Sequence, residues 1–422
     1  MRDGGRLSAA IEVLEDIEAR HRPVKLALKG WGEHSRFAGS KDRAFISGLV
    51  LDALRRRRSL GWMMGADTPR ALVLATVRFF WDWPIERIAE AAAEEPHGTG
   101  PLTDDERRLL ETPRSLEGAP EAVRGDYPDW MDARFERVFG PARADEAAAL
   151  AARAPVDLRV NLLKSDPERA AKVLTPLKAE HVDLLPQAFR IAAPDPAERA
   201  GAVETIPAFG KGWFEVQDLG SQLAAMAAGE IKGKQVLDFC AGGGGKTLAL
   251  AGAMGNTGQL YAYDNDARRM GDLVPRATRA GVRNLQVRTP VEDDPLRGLA
   301  GKMDVVFVDA PCTGTGTWRR HPDTKWRLTP EQLERRMAEQ DQVLDDAAPQ
   351  VKPGGRLVYV TCSILAEENE DRLTAFRERH PQFTVKPVAV ADLPTTPEGY
   401  LRMTPLRTGT DGFFVAVLER SA

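Results

Sequence analysis

The stretch Val236-Leu237-Asp238-Phe239-Cys240-Ala241-Gly242-Gly243-Gly244-Gly245-Lys246-Thr247 decides the fold of this chain. An apolar run leads into four consecutive glycines, and an apolar segment with helical character follows from Thr247 to Met254. This order predicts a buried strand, a tight turn and a helix, the unit that builds open α/β sheets. The turn is not a P-loop, because Cys240 stands where that motif needs its first glycine. Thr247 likewise stands where a dinucleotide fingerprint needs its third glycine.

Strands and helices alternate from Lys211 onward, which predicts a doubly wound, Rossmann-like parallel sheet. The predicted strands cover residues 235–239, 259–264, 285–288, 304–309 and 356–361. The predicted helices cover residues 247–254, 267–280, 330–348 and 367–379. The apolar run 412–418 predicts a last strand at or near the edge of the sheet.

The length of 422 residues predicts more than one domain. Residues 1–125 have apolar side chains at helical spacing, which predicts an all-helical domain that ends in Gly- and Pro-rich sequence. Residues 128–210 predict a small α+β module, and residues 211–422 form the α/β domain.

The composition excludes several classes of protein. Hydrophobic residues make up 43% and charged residues 28% of a chain that has no membrane-spanning run and no signal-peptide pattern, so we expect a soluble, cytoplasmic protein and a monomer. The three cysteines lie in no CxxC or Cys/His spacing, which predicts neither a metal site nor a disulfide scaffold.

A net charge of −4 gives no overall attraction to nucleic acid, so a nucleic-acid partner needs local basic patches. One basic cluster is residues 55–58, and a second contains Arg319, Arg320 and Lys325. Most such clusters are solvated helix faces, but the second lies a few residues from Cys312.

A methyl donor fits the glycine turn. Asp264 ends the next predicted strand, 22 residues beyond Gly242, and this spacing suits a carboxylate that binds ribose hydroxyls. A ribose carboxylate without a phosphate loop indicates S-adenosylmethionine, which has an adenosine but no pyrophosphate. The alternative is a tight turn without a ligand.

Cys312 and Cys362 each follow a predicted strand, so both thiols are expected at the carboxyl edge of the sheet, where open α/β sheets bind their ligands. A thiolate that adds to carbon-6 of a pyrimidine makes carbon-5 nucleophilic enough to accept a methyl group, and a base must then remove the carbon-5 proton. Asp309 could accept a hydrogen bond from a protonated N3 of cytosine during this addition. The alternative is two unrelated, partly buried cysteines.

Three motifs resemble those of the RNA 5-methylcytosine methyltransferases of the Sun/Fmu family. Residues 309–316 with 319–323 resemble motif IV of that family, residues 361–363 with 367–370 resemble motif VI, and residues 240–247 resemble motif I. The family more often has Ala-Pro where this chain has Gly242-Gly243. The similarity covers residues 128–420, because further matches occur around Arg159, Gln217 and Asp411.

The resemblance implies a role for each matching residue. Cys362 is the implied nucleophile, Cys312 assists release of the methylated product, and Lys246 and Asp309 line the site between methyl donor and base. The residues implied to bind S-adenosylmethionine are Cys240, Ala241, Gly242, Gly243, Gly244, Gly245, Lys246, Asp264 and Asp309. The chain departs from the family where an acidic residue near the adenine is expected, since it has Arg288-Thr289-Pro290 there, and Asp293 or Asp294 could substitute.

The N-terminal block is similar to the NusB-like domain of the bacterial rRNA branch of this family. This similarity implies an RNA-docking domain and an rRNA substrate, with the middle module supporting the RNA strand through Arg159, Asn161 and Lys164. With the basic cluster, the predicted RNA-binding residues are therefore Arg159, Asn161, Lys164, Arg319, Arg320 and Lys325.

The leading hypothesis is methylation of carbon-5 of a cytosine in small-subunit rRNA. Two alternatives remain at this point: a tRNA methyltransferase of the same family, and a non-catalytic RNA-binding factor for ribosome assembly. A DNA cytosine-C5 enzyme is disfavoured, because those enzymes have a Pro-Cys nucleophile paired with a Glu-Asn-Val motif that this chain lacks.

Overall fold

The computed structural model describes residues 1–195, 203–291 and 294–422. The described chain falls into two compact units. The first contains Met1–Arg153, residues 194–195 and Trp318–Leu328; the second contains Ala154–Ala193, residues 203–291 and 294–317, and Thr329–Ala422. In the described ranges no helix is long and apolar enough to cross a membrane.

Helices and strands are numbered in chain order. The helices are α1 (Asp3–Arg20), α2 (Val24–His34), α3 (Ser40–Arg55), α4 (Arg57–Met64), α5 (Pro69–Phe79), α6 (Ile85–Ala92), α7 (Asp104–Glu111), α8 (Glu121–Arg124), α9 (Asp132–Phe139), α10 (Arg143–Leu150), α11 (Pro167–Leu174), α12 (Pro207–Gly210), α13 (Leu219–Met226), α14 (Gly245–Met254), α15 (Leu273–Ala280), α16 (Thr324–Arg327), α17 (Pro330–Ala347), α18 (Glu370–Arg379) and α19 (Pro405–Thr408). The strands are β1 (Val156–Val160), β2 (Glu180–His181), β3 (Ala188–Ile191), β4 (Phe214–Val216), β5 (Gln235–Asp238), β6 (Gln259–Tyr263), β7 (Leu285–Arg288), β8 (Met303–Asp309), β9 (Val351–Thr361), β10 (Phe383–Lys386), β11 (Leu401–Met403) and β12 (Phe413–Arg420).

The first unit is all-helical among its described residues, as predicted, and is consistent with a NusB-like domain. Its core forms where apolar residues recur at helical spacing, so that Leu7 and Leu14 of α1 and Leu49 of α3 are almost completely buried. Thr68 caps α5 with its hydroxyl, and Pro69 occupies the first helical turn, where a missing amide costs nothing.

The segment Trp318–Leu328 belongs to the helical unit. The ammonium group of Lys325 is fully buried and donates to the backbone oxygens of Arg55 and Asp126, both at 2.6 Å. The indole of Trp326 donates to a backbone oxygen near the end of α3. Burial lowers the pKa of Lys325 to about 7, and the nearby charge of Asp126 opposes this shift only in part.

The second unit contains two sheets. The smaller sheet has the order β2-β3-β1-β4 and is antiparallel throughout. Three of its strands, β1 to β3, lie within residues 128–210, the predicted α+β module, and α11 follows β1, whereas β4 lies beyond those residues. The division into three domains stays a prediction, since contacts place both sheets in one unit.

The larger sheet has eight strands in the order β10-β12-β9-β8-β5-β6-β7, and β11 pairs with β12. Strands β5 to β9 are parallel, whereas β12 runs antiparallel between β9 and β10. The predicted α/β fold is confirmed, but the sheet is mixed rather than wholly parallel. The sequence patterns missed β10 and β11, which have only four and three residues.

One predicted helix is shorter than expected. Residues 267–280 were predicted to be helical, but α15 covers only Leu273–Ala280. The side chain of Asp266 accepts the amide of Arg268, and a local bond of this kind competes with helix formation. Gly271 lowers the helix propensity of the same segment further.

Two glycines bring three loops of the second unit into backbone contact. The Gly316 amide donates to the Cys362 oxygen at 2.9 Å, and the Gly412 amide donates to the Gly316 oxygen at 2.8 Å. A Cβ added to Gly316 would lie 2.1 Å from the Gly412 oxygen. Only glycine fits there, so the loops after β8 and β9 are held against the start of β12.

We expect Gly316→Ala to destabilise the second unit by about 2 kcal/mol or more, because the added methyl group forces the packed backbones apart. Urea denaturation measures the change. The matched control is Gly252→Ala in α14, where a Cβ meets no atom within 4 Å and helix propensity favours alanine. Equal midpoints for Gly316→Ala and the unmodified protein would contradict the contact.

Lys325 predicts a pH-dependent stability. Its pKa is about 7 in the folded protein, against an ordinary value of 10.5, so between these values the unfolded chain binds more protons and the free energy of unfolding rises with pH. We expect Lys325→Met to remove this rise from melts recorded between pH 7 and pH 9.5. The exposed Lys41→Met should keep it, and a rise that survives in Lys325→Met would exclude Lys325 as its source.

Candidate active site

The two predicted cysteines lie side by side. β8 and β9 are neighbouring parallel strands with Asp309 opposite Val360, and Cys312 and Cys362 follow at the same edge. Their sulfur atoms are 3.4 Å apart, and both side chains are free and half-buried. The hydrogen bond with Cys362, followed by burial, raises the pKa of Cys312 well above its ordinary value.

Lys246 and Asp309 form an ion pair at the same edge. Lys246 lies in the first turn of α14, and its Nζ is 2.7 Å from Oδ2 of Asp309 at the end of β8. Burial alone lowers the pKa of Lys246, but Asp309 and, more weakly, Cys362 raise it, and the net shift is upward. The ammonium therefore stays charged close to both the carboxylate and the thiols.

A hydrogen bond joins the glycine turn to Asp264. Gly242 and Gly244 have φ angles of 49° and 85°, which favour glycine. Oδ2 of Asp264 accepts the Gly242 amide at 3.1 Å, and its Oδ1 accepts the Asp266 amide at 2.9 Å. The carboxylate of Asp264 is thus fixed beside the turn.

The turn has room for a ligand. A Cβ built on Gly242 would meet only the Asp264 carboxylate, at 4.0 Å, among atoms outside the adjacent residues. A half-buried glycine turn beside a fixed carboxylate suits an adenosine ribose, so these residues fit S-adenosylmethionine. Burial raises the pKa of Cys240 well above its ordinary value, which keeps this third thiol neutral in the turn.

Asp293 and Asp294 are the two candidates for the contact with the adenine. Asp293 lies outside the described residues, and Asp294 lines a cavity together with Phe239 and Tyr263. In the described part of the chain no cluster of three or more His, Cys, Asp or Glu side chains could hold a metal ion.

Two residues predicted to bind RNA are buried in the second unit. Arg159 donates to Oε1 of Gln217 and to the Gly245 oxygen, and burial lowers the pKa of its guanidinium to about 10. Asn161 donates to the backbone oxygens of Gly212 and Ala280, each at 2.8 Å. Both side chains support the backbone around the glycine turn and α15.

The remaining predicted RNA-binding residues differ in exposure. Lys164 is exposed, and its ammonium is 3.4 Å from the Lys211 oxygen. Arg319 and Lys325 are buried in the helical unit, and Arg320 is half-buried there. The Arg319 oxygen accepts a hydrogen bond from Arg55 at 2.7 Å.

Two buried carboxyl groups were not singled out by the sequence patterns. Asp238, at the end of β5, accepts the Thr247 hydroxyl at 2.6 Å, and burial raises its pKa to about 7. Glu368 lies in a short helical turn after β9 and contacts both cysteine loops. Asp238 could have been found in the sequence as an acidic residue inside an apolar strand. Glu368 could have been found because it belongs to the motif that follows Cys362.

Known proteins resemble the whole chain. Residues 226–419 match the family described as 16S rRNA methyltransferase RsmB/F. The probable ribosomal RNA small subunit methyltransferase B of Synechocystis sp. is 31% identical and covers 98% of each chain, and the corresponding enzyme of Pectobacterium carotovorum is 34% identical over 92% of this chain and 93% of its own.

A solved structure is similar to this chain over its full length. The crystal structure of PH0851 is 25% identical, has a TM-score of 0.75 and covers 100% of this chain and 99% of its own. With relatives above 30% identity along nearly its full length, the chain belongs to the RsmB/F family of S-adenosylmethionine-dependent rRNA methyltransferases.

Proposed function

We propose that this protein methylates carbon-5 of a cytosine in small-subunit rRNA through a covalent bond between Cys362 and carbon-6 of the base. The observation that carries the proposal is the pair of sulfur atoms 3.4 Å apart, beside the Lys246–Asp309 ion pair. A single thiol can attack a pyrimidine, but a second group must then take the carbon-5 proton. Two adjacent thiols supply both functions.

Bound S-adenosylmethionine supplies a methyl group with the electrophilic character that carbon-5 needs. Asp264 and the glycine turn would hold the donor. N3 of the cytosine takes up a proton from solvent as carbon-6 is attacked and returns it to solvent when the product is released. The Asp309 carboxylate accepts a hydrogen bond from this N3–H, which favours addition at carbon-6. The ion pair with Lys246 orients the carboxylate of Asp309 for this contact.

The Cys362 thiolate forms a bond to carbon-6, and the electron pair of the 5,6 double bond becomes available at carbon-5 for methyl transfer. The methylated base then carries one proton too many at carbon-5. The Cys312 thiolate takes that proton, the 5,6 double bond forms again, and the Cys362 thiolate leaves.

The hydrogen bond between the thiols suggests when Cys312 becomes a base. This bond is the largest cause of the raised pKa of Cys312. Formation of the covalent bond consumes the Cys362 thiolate and removes this cause, so Cys312 releases its proton to solvent more easily at that stage. Cys312 therefore stays protonated while Cys362 attacks, and it becomes a base when the product is released.

The relatives that match almost the full chain act on small-subunit rRNA by name, which favours rRNA over tRNA as the substrate of this protein. A cytosine in a duplex cannot reach a half-buried thiol, so the RNA must present the base splayed out from a single-stranded segment. Such a substrate places the protein in the cytoplasm.

We expect Cys312→Ala to accumulate an SDS-stable adduct with unmodified small-subunit rRNA, because attack and methyl transfer proceed but release stops. Cys362→Ala should form no adduct and transfer no methyl group. Gel electrophoresis with labelled S-adenosylmethionine measures both, and the double variant is the control for adducts at other residues.

The same assay separates the alternatives. An adduct that persists in Cys362→Ala reverses the roles of the two thiols. Label that enters tRNA but not rRNA supports the tRNA enzyme, and no transfer by the unmodified protein to either RNA supports a binding factor. A digest of the labelled rRNA should release 5-methylcytidine, and a different labelled nucleoside would overturn the proposed position.

We also propose that Lys164 contacts an RNA phosphate, because it is the exposed member of the three predicted RNA-binding residues in the α+β module. Lys164→Ala should weaken RNA binding for every sequence and reduce the slope of log K against log salt by about 0.7, as expected for one phosphate contact on a single strand. Lys172→Ala, an exposed lysine of α11, is the control. An unchanged slope for Lys164→Ala excludes the contact.

A further inference from the structure

A buried carboxyl group lies between the two cysteine loops. Glu368 has no exposed surface, and in the part of the chain that the structure describes no lysine or arginine forms an ion pair with it. A carboxyl group in this position is costly unless hydrogen bonds satisfy its oxygens. Glu368 has four donors: the Thr313 amide at 2.8 Å, the Thr313 hydroxyl, the Ser363 hydroxyl and Nε2 of Gln340 at 3.0 Å.

These donors come from the residues next to the thiols. Thr313 directly follows Cys312, and Ser363 directly follows Cys362. Gln340 of α17 bonds Glu368 and also donates to the oxygen of Pro311, the residue before Cys312, at 2.9 Å. One carboxyl group therefore restrains the residues before and after Cys312 and the residue after Cys362.

The hydroxyl groups around Glu368 form a directed chain. The Ile364 amide donates to the Thr315 hydroxyl at 3.0 Å, and the Thr315 and Ser363 hydroxyl oxygens are 3.0 Å apart. Because Ser363 donates its single proton to Glu368, Thr315 must donate to Ser363. Both hydroxyls of this series therefore donate in the direction of Glu368, and the carboxyl group accepts the last bond, from Ser363.

Only an acceptor with two oxygens fits this arrangement. An ionised carboxylate offers about four acceptor positions, whereas a carboxamide has one oxygen and an NH₂ group that cannot accept. Burial raises the pKa of Glu368, and the bonds from Ser363 and Thr313 oppose that shift. The donor set thus selects glutamate at this position.

We propose that Glu368 is a positioning residue that holds the Cys312 and Cys362 thiols in contact. It touches neither sulfur and acts through Thr313 and Ser363. Its effect on methyl transfer rests on the cysteine roles proposed above, but its effect on the distance between the thiols does not.

The distance between the thiols can be measured without RNA. Phenylarsine oxide, a trivalent arsenical, binds two adjacent thiols: two S–As bonds form, the arsenic–oxygen bond breaks, and the oxygen leaves with the two thiol protons as water. No atom changes its oxidation state, so the affinity reports only whether both sulfurs can reach one arsenic atom. A role of Glu368 in stability alone would not change this affinity in a folded variant.

We expect Glu368→Gln to bind phenylarsine oxide at least tenfold more weakly than the unmodified protein, because its NH₂ group repels a hydroxyl that now donates. In the methyltransferase assay kcat should fall at least tenfold, while KM for S-adenosylmethionine stays within twofold. The control is Glu378→Gln, an exposed residue of α18 that should leave both readings unchanged.

Two smaller changes keep the proposal testable if Glu368→Gln does not fold. Ser363→Ala and Thr313→Val each remove one hydroxyl donor from the carboxylate, and each should weaken arsenical binding about threefold or more. Unchanged arsenical affinity in folded variants, or no binding by the unmodified protein, overturns the proposal. If arsenical affinity falls as expected but the unmodified protein methylates no RNA, the positioning role stands and the proposed function fails.

Discussion

The parallel pairing of β8 with β9 is the constraint on which the site depends. Asp309 lies opposite Val360, so the chain leaves both strands at the same level and places Cys312 and Cys362 in contact. A slip of one residue moves a strand by about 3.3 Å and turns its side chains to the other face of the sheet. That displacement is comparable to the distance between the sulfurs, so the register itself determines whether the thiols can cooperate.

The site then has to keep charged groups away from bulk water. Asp238, Asp309 and Lys246 lie close together at the edge of the sheet, and the burial that raises the pKa of Asp238 also strengthens the ion pair of the other two. The carboxylate of Asp309 is therefore held in place by the buried ammonium group of Lys246. Because these charged groups are already in place, they need little rearrangement when a nucleobase enters the site.

The sequence was sufficient to predict the α/β fold, the helical first unit and the position of both thiols at the carboxyl edge of the sheet, because each rests on a local pattern. Apolar runs predict buried strands, and parallel strands bring the residues after their carboxyl ends to one edge of the sheet. The order of the strands beyond β9 was not predictable, since β12 enters the sheet antiparallel through pairings that no local pattern encodes. Two strands of three and four residues were too short to show a period.

Residue type alone could not predict whether a basic side chain is buried or exposed. Arg159 and Lys325 are as basic in sequence as Lys164, yet the first two are buried against backbone oxygens and only Lys164 is exposed among these three. A buried cation that satisfies carbonyl groups and an exposed cation that meets phosphate have the same signature in one sequence. Only the three-dimensional contacts separate them.

Loops after strands are usually the least rigid part of an α/β domain, and both thiols stand on such loops. This chain limits their freedom by two independent means. Gly316 and Gly412 bring backbone against backbone, where no side chain fits, and the hydroxyl network converges on one buried carboxyl group, Glu368. The first sets how closely the loops approach, and the second sets the direction in which each loop leaves its strand. Because a shift of about 1 Å at reacting atoms can cost a hundredfold in rate, both restraints bear on the catalytic pair proposed for Cys312 and Cys362.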